Sequence, residues 1–137
     1  MERRDYLITQ IQQLGRFLQL LAEKLLGKSS SLNLEEEISK KQEEFKEVCG
    51  FEMSLLATPV FEELKEPLLN NNSYNPKNIE LLADYMVMLA DKSVGSPLTF
   101  IHRVKLNALQ LYELIEVSEK TYSIERQKKM AGLKNKI

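Results

Sequence analysis

Six aliphatic residues, Leu7, Ile11, Leu14, Leu18, Leu21 and Leu25, recur at alternating spacings of four and three. That rhythm constrains the fold more than any other feature of the chain. At ~3.6 residues per turn it lines all of them along one side of a helix, whereas a strand would scatter them over both faces of a sheet. Ile8, Phe17, Leu20 and Leu26 widen the stripe beyond a narrow coiled-coil seam. The spacing therefore predicts a helix over 5–26 that buries much of its circumference. Asp5 is the expected N-cap, and Gly27 the expected left-handed C-cap, because Gly reaches positive φ without a Cβ clash.

After the polar linker Lys28-Ser29-Ser30-Ser31, Asn33 precedes Leu34-Glu35-Glu36 as a capping box, with acidic residues in the first turn where the helix dipole favours them. A second helix is expected over 34–49, with Leu34, Ile38, Phe45 and Val48 on its apolar side and Gly50 ending it. Phe51, Leu55 and Leu56 form a brief helical pattern. Beyond them, Thr58-Pro59, Asn75-Pro76 and Ser96-Pro97 each read as a capping residue followed by Pro at the first helical position, where a missing N–H costs nothing.

The first of these starts predicts a short helix to about Glu66, stopped by Pro67 and the turn-rich Asn70-Asn71-Asn72-Ser73. The second opens a stripe of Ile79, Leu82, Ala83, Met86, Leu89 and Ala90 that ends at Ser93-Val94-Gly95. From Ser96-Pro97 a long helix carries Ile101, Val104, Ala108, Leu111, Tyr112 and Ile115 on one face. Thr121-Tyr122-Ser123 breaks it, and Ser123 caps a last helix with Ile124, Met130 and Leu133. No segment alternates with period two between hairpin turns, so no strand is expected. The chain reads as all-α, one domain over 1–137 with five to seven helices in antiparallel hairpins.

Composition narrows the function classes. With 43% apolar and 28% charged residues over 137 positions and a net charge of −1, the chain is too apolar for a disordered protein. One Cys and one His exclude a disulfide framework and a Cys/His zinc site within one copy, and no cofactor is expected. Phe17 to Leu26 is the longest strongly apolar stretch, far short of the ~20 residues a membrane span needs. No signal peptide is expected either, which makes the cytoplasm the default compartment. Charge is segregated: residues 35–66 sum to −6 and residues 98–137 to +4, so the second and last helices are expected to attract, within one molecule or between two.

Asp5-Tyr6-Leu7-Ile8, Ile11, Leu14 and Leu21-Ala22-x-x-Leu25-Leu26-Gly27-Lys28, continued by Leu81-Leu82-Ala83, Ala108-x-x-Leu111-Tyr112-Glu113 and Tyr122-Ser123, resemble an uncharacterised bacterial family of short all-helical proteins of unknown function. The resemblance implies a helical fold and no established activity. Ala108 with Tyr112, and Leu82-Ala83 with Met86, also resemble tetratricopeptide helix pairs. Ala83 and Ala108 are 25 residues apart, however, where a regular repeat would place its small positions at about half that distance. What this likeness implies is a bundle, or a short tetratricopeptide-like array, of stacked hairpins that bury a common core and offer a groove.

The residues that could carry chemistry have plainer readings. His102 has no carboxylate or second His one helical turn away and reads as a surface or structural residue. Cys49 lies at the negative end of a helix dipole, which disfavours a thiolate, so a buried inert thiol is expected, although Lys46 pulls the other way. Glu35, Glu36, Glu37, Glu43, Glu44 and Glu47 read as a solvated face paired with Lys40, Lys41 and Lys46. Gly15 and Gly27 belong to no phosphate-cradling pattern. Arg126, Lys128, Lys129, Lys134 and Lys136 could meet nucleic acid or anionic lipid, but they equally complement the last helix's dipole, and no nucleic-acid partner is expected. The first helix, with Arg16, Lys24 and Lys28, could lie on a membrane surface, but it lacks a dense cationic face and is read as core or as a self-association seam.

The function expected is that of a helical protein–protein interaction module, an adaptor or scaffold rather than an enzyme. Tyr85 and Arg103 lie off the apolar stripes and, with Tyr112, are expected to flank a partner-binding groove, since exposed aromatics and Arg most often anchor partners. Leu14, Leu18 and Leu21 are candidates for a homo-oligomer seam. The alternative is a small-molecule or peptide sensor, or an enzyme, with a pocket among Phe61, Tyr85, Phe100, His102 and Tyr112.

Overall fold

A computed structural model describes residues 2–27, 34–93, 95–119 and 123–136. Helix α1 (Glu2–Leu26) follows the stripe, and α2 (Leu34–Cys49) ends where Gly50 takes φ +83°, a left-handed conformation that a Cβ would strain. A short 3-10 helix, Met53–Ala57, leads to α3 (Phe61–Leu69), α4 (Pro76–Lys92), α5 (Leu98–Glu119) and α6 (Ile124–Lys136). The fold is all-α, with six α-helices and no strand among the described residues. No helix among them is long and apolar enough to cross a membrane.

Two of the expected caps are present. Asn75 accepts the Asn78 N–H at 2.9 Å with Pro76 in the first turn, and Ser123 Oγ accepts the Arg126 N–H at 3.2 Å. Others are corrected. Asp5 lies inside α1, where its carbonyl accepts the Thr9 hydroxyl, and Gly27 does not take a positive φ. Thr58 does not cap α3: its Oγ1 accepts the Val60 N–H at 3.2 Å in a local turn, and Val60 holds the cap position without a side-chain bond. Pro67 sits inside α3 rather than after it. Near the C-terminal end only one ladder bond is lost, and the Asn70 N–H still reaches the Glu66 carbonyl at 3.1 Å. Pro97 precedes α5, and its carbonyl accepts the Phe100 N–H at 3.1 Å. The Asn33 cap, the Lys28-Ser31 linker, Val94 and Thr121-Tyr122 lie outside the described residues.

Helices α4 and α5 form an antiparallel hairpin whose register is read from its polar pairs. Lys105 meets Asp91 at 3.7 Å, Tyr112 donates to Asp84, and Glu80 and Glu116 share Arg126. Helix α1 crosses α4 at Gly15, where a Cβ would stand 2.8 Å from Asn78 Oδ1. The Asn78 amide is pinned there by bonds to the Ile11 and Ser73 carbonyls at 2.9 and 2.8 Å. Asn107 of α5 ties down the 3-10 helix through the Leu56 and Thr58 carbonyls at 3.1 and 2.9 Å. A single cluster of buried apolar side chains draws on all six helices. Each buried leucine in it stabilises the fold by ~1.5–3 kcal/mol.

On α2, Phe45 faces the core and Ile38 packs against it as expected, joined by Glu37 and Cys49, while Val48 is exposed. Glu37 is therefore not on the solvated face: it is buried, with Lys41 at 3.2 Å. The charge attraction expected between α2 and α6 is not what holds α6 within the molecule: Arg126, Lys129 and Lys136 pair with carboxylates of α4 and α5.

Candidate functional site

Tyr85 and Tyr112 do not flank a groove. Both are buried in the continuous core, with 0% and 1% exposure. Helix α4 packs against α1 on one side and α5 on another, so a residue ~100° from Met86 still lies inside. Burial raises the Tyr85 pKa first, with the Glu37 charge and Cys49 adding to it. The Tyr85 hydroxyl has no hydrogen-bond partner among the described residues. Tyr112 donates to Asp84 Oδ1, and Lys129 Nζ stands 5.8 Å from its ring centre. Burial and the Asp84 carboxylate both push the Tyr112 pKa up.

Leu14, Leu18 and Leu21 are likewise buried within one chain, together with Leu25. The stripe that could have been a seam between copies is the face α1 presents to its own core. Ile8, Leu20 and Leu26, expected to widen the buried stripe, are exposed instead, so α1 buries one face and not most of its circumference.

Arg103 is half-buried on the side of α5 that faces away from α4, and it has company there. Arg103, Leu106, Gln110, Leu114 and Val117 follow one another at steps of three and four. At ~100° per residue they share a sector of ~80°. Leu106 is 37% exposed and Val117 75%, while Gln110 and Leu114 are half-buried like Arg103. Of the six helices α5 is the most apolar and the least one-sided. A helix apolar around its circumference is normally covered on both sides. Here the inner side carries Val104, Ala108, Leu111, Tyr112 and Ile115 into the core, and the outer side stays open to water at Leu106 and Val117.

At the other end of the hairpin, Arg126 of α6 is almost buried among carboxylates. It meets Glu80 at 2.9 Å, Glu116 at 2.7 Å and Glu119 at 3.3 Å. Lys129, one turn on, meets Glu80 at 2.9 Å and Asp84 at 3.0 Å. Burial works to lower the pKa of both cations, but the carboxylates outweigh it and raise them. For Glu80, burial acts upward and the bonds from Lys129 and Arg126 prevail, holding its pKa below the usual value. With Lys136 3.9 Å from Asp91, three of the five C-terminal cations thus pair inside the molecule. Beside them, a cleft of about 490 Å³ runs between α4 and α6, bounded by Val87, Met88, Tyr112, Lys128 and Leu133.

The five residues proposed as a pocket are not brought together. Tyr112 borders the cleft just described, which Phe61, Tyr85, Phe100 and His102 do not line. His102 is exposed on α5. Cys49 is fully buried and desolvation pushes its thiol up to about 12, while Lys46 turns to Glu52 at 2.8 Å.

Comparison with family models, curated proteins and solved structures returns no match. Reading the sequence for function missed the Arg126 cluster, whose carboxylates come from two other helices, and it missed Leu106 and Val117. The latter pair had a signal: each falls in step with Arg103 on the side of α5 opposite its apolar stripe.

Proposed function

We propose that this chain is a non-catalytic helical interaction module, an adaptor or scaffold of the cytoplasm, and that the outer side of α5 receives another protein. The observation that carries the reading is the pair of exposed apolar side chains Leu106 and Val117 on one side of the most apolar helix of the fold, in step with Arg103. Arg brings a rigid donor fork beside apolar area, a combination frequent in the energetic centre of interfaces. The complementary surface is an apolar helix stripe bearing a carboxylate opposite Arg103.

The test is copurification from the cells that make the protein, using the wild type and the double variant Leu106→Asp, Val117→Asp. Neither side chain belongs to the buried core, Val117 being 75% and Leu106 37% exposed, so the variant is expected to keep its helicity, which circular dichroism checks. A partner recovered in constant ratio with the wild type and lost from the folded variant supports the proposal. Equal recovery with both contradicts it.

A further inference from the structure

We infer that the groove between α4 and α5 is a binding site for basic amphipathic helices, and that α6 is its built-in occupant, displaceable by a partner helix bearing Arg, Lys and two apolar residues at the spacing α6 uses. The groove has a wall of carboxylates, Glu80 and Asp84 from α4 and Glu116 and Glu119 from α5. Val87, Met88 and Tyr112 lie alongside. Into it α6 places Arg126, Lys129, Met130 and Leu133, a pattern of i, i+3, i+4 and i+7 that lays two cations and two apolar side chains on one face.

Helix α6 is poorly suited to stay for any other reason. It is the least apolar of the six helices, and Met130 and Leu133 are its only apolar side chains in the core cluster. Its attachment therefore draws on charge complementarity: salt weakens the pairs of Lys129, 37% exposed, more than those of Arg126, 8% exposed. Helix-in-groove recognition uses this geometry between proteins. Because the cis helix already displays the fitting pattern, the chemistry of a competing ligand is specified: a helix with Arg and Lys three apart, followed by apolar residues four and seven positions after the Arg. This inference is independent of the outer face of α5.

The test uses the full chain and a labelled peptide of residues 123–137, with binding read by fluorescence anisotropy. In the chain variant Arg126→Gln, Lys129→Gln the cis helix is weakened. The peptide is expected to bind that variant at least about tenfold more tightly than the wild type, because the cis competitor no longer holds the site. A peptide carrying Arg126→Gln is expected not to bind. Equal affinity for both chains, or no binding to a variant that circular dichroism finds folded, overturns the inference. Should the variant fail to fold, amide exchange on the wild type decides. Exchange in α6 that rises with salt while α4 and α5 stay protected supports a displaceable helix, and exchange at one common rate in all three contradicts it. The double variant Leu106→Asp, Val117→Asp should bind the peptide as the wild type does, so failure of this site and failure of the α5 surface are separable.

Discussion

Asn78 on α4 reaches across to Gly15 on α1, its Oδ1 standing 2.8 Å from where a Cβ at Gly15 would be. The amide cannot step back, because its Nδ2 is held by the Ile11 and Ser73 carbonyls. Glycine in a helix interior is otherwise unfavourable by ~1 kcal/mol relative to Ala, so its place here is explained by this contact.

Gly15→Ala should accordingly destabilise the protein by about 1 kcal/mol net, as overpacking outweighs the gain in helix propensity. With Asn78→Ala already present the sign should reverse, and adding Ala at 15 should stabilise by up to about 1 kcal/mol. Urea unfolding of the four proteins in the cycle measures this. The same loss in both backgrounds would remove the contact from the account.

The two buried tyrosines should respond in opposite directions to removal of their hydroxyls. Tyr85→Phe removes an oxygen without a partner among the described residues and should be neutral or stabilising by up to about 1 kcal/mol. Tyr112→Phe removes the hydroxyl bond to the Asp84 carboxylate, leaving it Lys129 alone, and should cost about 1–2 kcal/mol. Thermal unfolding at neutral pH separates the two.

Acid should loosen α6 first. Glu80 has a pKa below its ordinary 4.5 in the fold, so the stability it contributes is complete above that value and is lost as the pH falls below 4.5 and through the lowered one. Amide exchange in α6 should rise across this range before that of α4. Simultaneous loss of both would contradict the order.

With its pKa raised to about 12 and its side chain enclosed, the Cys49 thiol should resist alkylation at pH 8 in the folded protein. Labelling should begin only with denaturant and should track global unfolding. Rapid labelling in buffer would show that α2 opens locally.

Much of the fold was legible because it rests on local rules. The bounds of α2, the Asn75-Pro76 start and the Ser123 cap follow from neighbours within four residues. Thr58-Pro59 misled because Thr58 closes a turn one step before the helix, an alternative the same hydroxyl offers equally well. The site residues were less legible. A single buried face on α4 would leave Tyr85 outside, but tertiary packing covers two. Arg126 looked like a solvated end-of-chain cation, because nothing in residues 123–137 announces Glu80 and Glu116. Of the three residues first picked for a partner groove, Arg103 alone is on a surface.

Photocrosslinking from the outer side of α5 tests the central claim most directly. A photoreactive residue at Val117 or at Leu106, introduced in the cells that make the protein, should give one and the same crosslinked partner. Placed at Leu98, which is 81% exposed but lies on another side of the same helix, it should give none. Crosslinks from Leu98 equal to those from Val117, or none from Val117 and Leu106, would contradict the account.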